Sequence, residues 1–262
     1  MMAFIREALR SHLSGPTRER IRLARWDLRF YIPRRLKSLC TRAHPTVEGR
    51  GDQLIRQIQR VNVTRPTRFC RTMTRYGSDK GNGRHTYTTV YAALVGGKRH
   101  EALRIFELGI ARIGIDGHRG PSLRGWRDLF PRAEIYGADI DRANLFMESR
   151  ISTFFCDQLD ADAIRTLWAQ PALREPMDII VDDGLHTFEG NKSFLEGSLT
   201  SVRPGGLYVI EDITGATLDR WREQIALYAS RYPQHEMALA QLPSPGNAYD
   251  NNLLIIRPHS QG

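Results

Sequence analysis

Cysteine and long apolar runs are both scarce in this 262-residue sequence. The three cysteines, Cys40, Cys70 and Cys156, are odd in number and far apart. This spacing argues against a disulfide framework and against a cysteine metal cluster, and it favours a reducing cytoplasm. No stretch reaches the roughly 18 uninterrupted apolar residues of a membrane span. Because charged residues also interrupt the first ten positions, we expect no signal peptide.

Two familiar phosphate-binding patterns are missing as well. The sequence contains no G-x-x-x-x-G-K-[ST] motif, which binds triphosphates, and no G-x-G-x-x-G motif, which binds dinucleotides. The first absence argues against a P-loop nucleoside triphosphatase. The second argues against an enzyme that uses NAD.

Positive charge is concentrated at the N-terminus. The net charge is +9, and residues 1–50 contribute +8 of it through twelve Arg or Lys and four Asp or Glu. We predict a basic helical arm that ends in a polar linker at Thr46–Asp52, together residues 1–52. This arm packs on the domain or on a second subunit of a homo-oligomer, contacts anionic lipid or a lipid-linked substrate, or binds nucleic acid. Nucleic acid is disfavoured because no RNA-reading module accompanies the arginines.

From residue 53 to residue 262 the pattern alternates between strands and helices. The predicted elements are strands at Arg104–Leu108, Glu134–Asp139, Met177–Asp182 and Leu207–Ile210, helices at Ser122–Leu129, Phe188–Val202 and Leu218–Tyr228, and a hairpin of His235–Leu242 with Asn251–Ile256. The alternation predicts an α/β domain with a mainly parallel seven-stranded sheet, a C-terminal antiparallel hairpin and helices on both faces. Ligands of such sheets bind at the carboxyl ends of the strands.

The first two strands end in residues suited to a nucleotide-like cofactor. Gly109 follows the first strand, and Gly114, Gly117 and Gly120 precede the next helix, so that the backbone can pass close to a ligand and present its amides. Asp139 ends the second strand, near the spacing at which nucleotide-binding folds place an acid on ribose hydroxyls. Together these residues favour a ribose-bearing cofactor.

Carboxylates gather at the ends of two later strands, as Asp182-Asp183 and as Glu211-Asp212. Such groups repel one another unless a cation lies between them, and Mg²⁺ held by oxygen ligands is the usual solution. His186 follows closely and can accept a proton near neutral pH. A lone Asp-Asp pair usually caps a loop, and a lone histidine is usually solvated. Here the acids, the histidine and the cofactor loop converge on one edge, which favours a functional site.

Between Tyr76 and Asp212 the sequence carries a set of short motifs in a fixed order. They are Tyr76-Gly77-Ser78-Asp79-Lys80-Gly81, His85-Thr86-Tyr87, Tyr91, Phe106-Glu107-Leu108-Gly109-Ile110, Gly120-Pro121-Ser122-Leu123-Arg124-Gly125-Trp126, Phe130-Pro131, Ile135-Tyr136-Gly137-Ala138-Asp139-Ile140-Asp141, Asp157-Gln158, Asp182-Asp183-Gly184-Leu185-His186 and Arg203-Pro204-Gly205-Gly206-Leu207-Tyr208-Val209-Ile210-Glu211-Asp212. As a set these motifs resemble the S-adenosylmethionine-dependent sugar O-methyltransferases of the macrocin and mycinamicin type. The block pattern is closer still to nodulation-factor fucose O-methyltransferases.

The resemblance implies a role for each matching residue. The residues implied to bind S-adenosylmethionine are Glu107 and Gly109 as its lining, Asp139 at the ribose, and Asp157 with Gln158 beside the adenine. We add Asp182 to these cofactor contacts, together with Ser78 and Lys80, whose segment would help to close the site. Asp183, Glu211 and Asp212 resemble the magnesium ligands, and His186 resembles the general base.

The activity implied is methylation of a sugar hydroxyl, with a fucose-like sugar on a glycoconjugate or oligosaccharide as the favoured acceptor. Two features depart from the family. Ala111 stands where relatives often have a second glycine, and the basic arm replaces the large auxiliary domain of the macrolide enzymes, which makes a macrolide acceptor less expected. Three alternatives stay open: a methyltransferase for another diol or catechol, one for RNA or protein, and a non-catalytic S-adenosylmethionine-binding protein. RNA is disfavoured because the sequence has no Asn-Pro-Pro-Tyr-like pattern for base amines.

Overall fold

A computed structural model describes residues 28, 32–37, 40–81, 84–110, 119–244 and 246–259. Most of the predicted basic arm, together with Ala111, Gly114 and Gly117 of the predicted cofactor loop, lies outside these residues. Within them, no helix is both long enough and apolar enough to cross a bilayer.

A nine-stranded mixed sheet forms the centre of the described chain. Its strands are β1 (Thr46–Arg50), β2 (Arg104–Leu108), β3 (Glu134–Asp139), β4 (Met147–Glu148), β5 (Ile151–Phe155), β6 (Met177–Asp182), β7 (Val202–Ile210), β8 (Glu236–Gln241) and β9 (Asn252–Arg257). They lie side by side in the order β1-β8-β9-β7-β6-β2-β3-β5-β4. The five central strands β5, β3, β2, β6 and β7 are parallel, whereas β9 inserts antiparallel between β7 and β8. The predicted mainly parallel sheet and its antiparallel hairpin are therefore confirmed.

Helices cover both faces of the sheet. They are α1 (Ile32–Lys37), α2 (Asp52–Gln59), α3 (Arg68–Tyr76), α4 (Tyr87–Val95), α5 (Pro121–Leu129), α6 (Ala161–Trp168), α7 (Phe188–Ser198) and α8 (Leu218–Arg231). Because successive strand residues point to opposite faces, Ile105 packs beneath α2–α5 and Phe106 packs beneath α6–α8. The two apolar clusters enclose the sheet, so the strand ends are held rigidly.

Three expectations need correction. Thr46–Asp52 is not a linker: Thr46–Arg50 is β1, an edge strand that pairs antiparallel with β8. Only one face of this antiparallel edge strand packs on the core, so the strand can form from a largely polar sequence. Gly49 (φ +136°) allows the close approach to β8, because a Cβ there would overlap the Met237 carbonyl. With β1 and the short β4 the described sheet has nine strands instead of seven. The helix predicted over Phe188–Val202 also ends earlier, at Ser198, and a short 3₁₀ turn follows it.

The strand order places a crevice at the carboxyl edge of the sheet. From β2 the chain proceeds to β3 and β5 on one side, and from β6 to β7 on the other. Strands β2 and β6 are neighbours, and the connections that follow them run to opposite sides of the sheet, toward β3 and toward β7. This switch point is where ligands of open α/β sheets bind.

Candidate active site

Asp183, His186 and Asp212 converge at the carboxyl edge, from the loops after β6 and β7. The Nε2 atom of His186 lies 3.2 Å from Oδ1 of Asp183 and 3.4 Å from Oδ2 of Asp212. One ligand atom from each of the three residues lies within 4.8 Å of the others. His186 (φ +56°) and Asp212 (φ +54°) both adopt the left-handed backbone conformation. Non-glycine residues held there cost about 1–3 kcal/mol each and occur preferentially at functional sites.

The charges of this group perturb one another. Burial alone would lower the pKa of His186, but its hydrogen bond to Asp183 and the charges of both carboxylates raise it to about 9. Burial alone would raise the pKa of Asp183, but Lys80 and His186 together hold it at about 2. Burial and the charge of Asp183 raise the pKa of Asp212. In the metal-free protein His186 is therefore protonated at neutral pH and serves as the counter-charge of the two carboxylates.

Lys80 is a buried cation directly behind these acids. Its Nζ atom lies 2.6 Å from Oδ2 of Asp183 and 3.6 Å from Oε1 of Glu107, and it also donates to Glu211. Burial alone would lower the pKa of Lys80, but the three carboxylates raise it well above its ordinary value. Three carboxyl groups thus share one buried ammonium group, which supplies the positive partner that an ionised carboxylate needs in the interior.

The two glutamates at this centre are fully enclosed. Glu107 accepts hydrogen bonds from Ser122 (2.5 Å) and from the indole of Trp126 (2.6 Å), and Glu211 accepts one from Tyr91 (2.6 Å). Burial raises the pKa of both carboxyl groups, that of Glu211 well above its ordinary value. Their oxygens are directed toward Lys80 and these donors, away from the Asp183–His186–Asp212 group.

A second histidine and a tyrosine hold Asp212 from its other side. The Tyr87 hydroxyl donates to Oδ1 of Asp212 at 2.6 Å, and Nδ1 of His85 lies 3.3 Å from the same oxygen. Asp250 lies near enough to form a second potential ligand group with His85 and Asp212. His85 is 3% exposed, so it belongs to the support of the site and not to its open surface. The motif His85-Thr86-Tyr87 signalled these residues, but spacing alone gave them no role.

A cavity of about 500 Å³ opens beside the acidic group. Apart from Asp79, which lies between α3 and α4, its lining residues come from the carboxyl ends of β2, β3, β5, β6 and β7 and from the loops that follow them. They are Asp79, Leu108, Gly109, Asp139, Ile140, Cys156, Asp157, Gln158, Leu159, Asp183, Gly184, Leu185, His186 and Asp212. The volume falls within the range of roughly 300–1,000 Å³ that is usual for small-molecule sites. Ile140 and Leu159 are more than half exposed and give the cavity apolar walls.

Asp139 is held in place at the wall of this cavity. Its Oδ2 accepts the backbone N–H of Ile110 at 3.0 Å, and its Oδ1 accepts from Asp141 N–H at 2.9 Å and from the Asn144 amide at 3.1 Å. A carboxylate has about four acceptor positions, so one remains for a ligand hydroxyl. Its rigid placement fits the predicted contact with a ribose.

Asp182 is buried beneath the cavity floor. Its carboxylate accepts from the Gln158 amide at 2.9 Å and from the Asn191 amide at 3.0 Å, and burial raises its pKa to about 7. Gln158 in turn accepts the backbone N–H of Leu185 at 2.7 Å. Asp182 thus orients Gln158 and the loop after β6 from below. It does not line the cavity itself.

Gly109 joins the cofactor loop to the acidic loop. It has φ +86°, and a Cβ on it would overlap the carbonyl oxygen of Asp183. Only glycine fits here, because the conformation is left-handed and the two backbones touch. The close approach at this position is to the loop that carries Asp183, and the predicted approach to a ligand stays a prediction.

The predicted site residues fall into two groups. Those that line the cavity are Gly109, Asp139, Asp157, Gln158, Asp183, His186 and Asp212. Those buried behind it are Ser78, Lys80, Glu107, Asp182 and Glu211. The proposed roles of both groups stay predictions. In this geometry the second group supports the first.

Comparisons with known proteins identify similar sequences and a similar fold. No protein-family model matches the sequence. The chain is 37% identical over 139 residues to demethylmacrocin O-methyltransferase of Streptomyces fradiae, which covers 53% of this chain and 34% of that enzyme. It is 34% identical over 154 residues to 8-demethyl-8-(2-methoxy-alpha-L-rhamnosyl)-tetracenomycin-C 3'-O-methyltransferase of Streptomyces olivaceus, which covers 59% of this chain and 39% of the enzyme.

A solved structure extends the likeness to three dimensions. The MycE methyltransferase of the mycinamycin biosynthetic pathway, in complex with Mg, SAH and mycinamycin VI, aligns with a TM-score of 0.58 and 27% identity over 74% of this chain and 54% of that one. The described domain has a Rossmann-like methyltransferase fold. This fold and the resemblance to macrocin- and mycinamicin-type sugar O-methyltransferases are confirmed, whereas the closer likeness to nodulation-factor enzymes stays a prediction. The chain spans only 34–39% of the length of the two curated relatives described.

Proposed function

We propose that the chain is a magnesium-dependent O-methyltransferase that transfers the methyl group of S-adenosylmethionine to a sugar hydroxyl. The observation that carries this proposal is the convergence of Asp183, His186 and Asp212 at the mouth of a cavity of about 500 Å³ walled by Asp139. Relatives with 34–37% identity are named as sugar O-methyltransferases, which supports the same assignment.

The cavity wall supplies the groups that S-adenosylmethionine needs. Asp139, fixed by three donors, has a free acceptor position for the ribose hydroxyls. Ile140 and Leu159 offer apolar surface for the adenine, and Asp157 and Gln158 lie beside them as polar partners. Gly109 lines the same cavity, and its left-handed backbone brings the loop after β2 against the loop that carries Asp183. The sulfonium end would then point toward Asp183.

Asp183 and Asp212 fit a hard divalent cation. They offer carboxylate oxygens on the exposed side of an interior that already holds three acids and one lysine, and Mg²⁺ prefers such oxygen ligands. Glu211, the third predicted magnesium ligand, could reach the cation only if its carboxylate turned away from Lys80. In the present geometry it pairs with Lys80 and does not face the metal site. When bound, the cation lowers the pKa of a coordinated hydroxyl and fixes the position of two neighbouring hydroxyls of a sugar.

His186 is the group that would take the proton of the acceptor hydroxyl. Its ring lies at the cavity wall and is 38% exposed on its side chain, so an acceptor can reach it. It must be neutral to act, but Asp183 and Asp212 hold its pKa at about 9 in the metal-free protein. The base therefore becomes competent only when the two carboxylates have another positive partner. Metal binding and proton removal are thus linked through the same two side chains.

The acceptor we favour is a fucose-like sugar on a glycoconjugate or oligosaccharide. Sugars present vicinal hydroxyls, which suit two-point binding at the Asp183–Asp212 edge. We infer further that the reaction takes place in the cytoplasm, with the basic arm of residues 1–52 near anionic lipid, near a lipid-linked acceptor or against a second subunit. The charge of +8 within residues 1–50 supports this part. Gel filtration and vesicle flotation of the full chain, beside a chain that lacks residues 1–40, test it.

The decisive assay is incubation with labelled S-adenosylmethionine and a panel of sugar and catechol acceptors, with magnesium and with EDTA. We expect label on a sugar, lost in EDTA and restored by magnesium, while S-adenosylhomocysteine still binds in EDTA. Asp183→Asn should remove turnover, whereas Asp160→Asn, an exposed cap of α6, should not. Label on catechols alone would overturn the sugar assignment, and full activity in EDTA would overturn the metal assignment.

A further inference from the structure

A second concavity, of about 490 Å³, lies between α3 and the C-terminal end of α5. Its lining is dominated by arginine and consists of Arg68, Arg71, Thr72, Arg75, Arg127, Asp128, Pro131 and Arg150. The lining holds five arginines and one carboxylate, that of Asp128, and Arg127 also pairs with Glu148, so the groove keeps an excess of positive charge. We refer to it as the arginine groove.

The arginine groove is separate from the candidate active site. Helix α5 begins at the carboxyl edge of the sheet, after β2, and ends just before β3 starts. Arg127 in its last turn and Arg150 immediately before β5 therefore lie at the amino edge of the sheet. None of the residues that line the groove also lines the active-site cavity. A ligand of the groove is consequently not the methyl acceptor in its reacting position.

Arg150 and Arg127 are held by neighbouring groups near the end of α5. Arg150 donates to the carbonyl groups of Phe130 (3.2 Å) and Ala133 (2.9 Å), which follow the C-terminal end of α5. Arg127 pairs with Glu148 at 2.9 Å. These two side chains form the fixed far wall of the groove. They keep their positive charge there but have few donors to spare.

The other three arginines lie on α3. Arg68, Arg71 and Arg75 are spaced three and four residues apart, so they share one face of the helix. The Nε of Arg75 is buried and has no hydrogen-bond partner among the residues that the structure describes. Buried donors are normally satisfied, and one left without a partner costs about 1–3 kcal/mol. An acceptor that enters the groove would supply the missing partner.

The chemistry of the lining selects the ligand. A guanidinium group offers a planar pair of donors that matches the oxygens of a phosphate, and it keeps its charge at all physiological pH values. A phosphate monoester carries about 1.5–2 negative charges at pH 7. It therefore balances the positive charge of several arginines better than a ligand with a single carboxylate would. We propose that the arginine groove binds a phosphate or diphosphate group, supplied by a soluble phosphorylated molecule or by a phospholipid headgroup.

Two titrations of the full chain distinguish these sources. In the first, inorganic diphosphate is titrated calorimetrically into wild type and into Arg68→Gln/Arg75→Gln. In the second, sedimentation of phosphatidylglycerol vesicles is compared for the same proteins, with phosphatidylcholine vesicles as the blank. The control, Arg56→Gln/Arg165→Gln, removes the same charge from two exposed arginines that pair with acids elsewhere. The single Arg68→Gln exchange, at an exposed residue, guards against a folding defect in the double variant.

We expect the groove variant to lose at least about tenfold in diphosphate affinity while the control keeps wild-type affinity, since each charge-assisted bond contributes strongly. Arg68→Gln should show a smaller loss in the same direction. A loss in diphosphate titrations alone assigns the groove to a soluble ligand, and an additional loss of vesicle binding assigns it to a headgroup. If the groove and control variants behave alike in both titrations, the groove is not an anion site and the proposal is wrong. Neither titration measures methyl transfer, so a negative result would not bear on the proposed function.

Discussion

Magnesium should lower the pKa of His186. Although burial alone would lower that pKa, the carboxylates of Asp183 and Asp212, at 3.2 and 3.4 Å from Nε2, raise it to about 9 in the metal-free protein. A cation held by the same carboxylates offsets their negative charge. The pKa of the ring should then fall toward its ordinary value of 6.5.

The size of the change follows from the exposure of the ring. Because 38% of the His186 side chain is exposed, solvent already screens part of the attraction. We therefore expect a fall of about one pKa unit or more, equivalent to about 1.4 kcal/mol. The measurement is an NMR titration of the His186 ring signals, assigned with His186→Gln, in EDTA and in saturating magnesium. The signal of exposed His44 serves as the internal reference.

Two outcomes would refute the reasoning. An unchanged His186 titration in saturating magnesium would mean that the cation does not bind at these carboxylates. Loss of the titration altogether would mean that the imidazole is itself a metal ligand, and another group would then have to take the proton. Asp212→Asn provides the matched check, because it should lower the pKa of His186 without metal, whereas Asp160→Asn should leave it unchanged.

Four further outcomes test the site residue by residue. Asp139→Ala should weaken S-adenosylhomocysteine binding by about 1.5–3 kcal/mol in calorimetry, the scale of a hydrogen bond to a charged group, whereas Glu134→Gln at the other end of the same strand should not. His186→Ala should lower kcat by about 10²–10⁴-fold with an unchanged melting temperature in saturating magnesium; lost stability under those conditions with normal turnover would make it a structural residue. Lys80→Met should destabilise the fold by about 3–5 kcal/mol at pH 7 in denaturant titration. Since its carboxylate partners become neutral when protonated, that loss should shrink as the pH falls, and a loss independent of pH would contradict it. Gly109→Ala should cost at least about 1–3 kcal/mol, because its conformation is left-handed and the next loop occupies the space; wild-type stability would show that the loops can separate.

The central strands were predictable because their sequences are apolar on both faces. Glu134–Asp139 and Met177–Asp182 begin and end in the structure where the sequence pattern placed them. A strand buried between two helical layers has no polar face, and glycine or charged residues mark its ends. The residues just after such strands could then be assigned to one edge, which is how Asp139 and Asp183 were found.

Strand β1 was missed because nothing local indicates it. Thr46–Arg50 has a polar sequence with one glycine, and its partner β8 lies almost two hundred residues later in the chain. Pairing of this kind depends on where the final hairpin settles on the sheet. The surroundings of Lys80 were hidden for the same reason. Its contacts with Asp183 and Glu211 join residues 103 and 131 positions apart, and a lysine in a Gly-Ser-Asp-Lys-Gly turn gives no sign of burial.

Because Gly109 lies against the carbonyl of Asp183, the loops after β2 and β6 cannot move independently of each other. There is no side chain between them to absorb a displacement. A cofactor that shifts the loop after β2 must also shift the backbone that aims the Asp183 carboxylate. Thermodynamic reciprocity then requires that whatever the cofactor does to metal affinity, the metal does to cofactor affinity by the same factor. Cooperative binding of S-adenosylmethionine and the metal ion would then depend on one residue, Gly109.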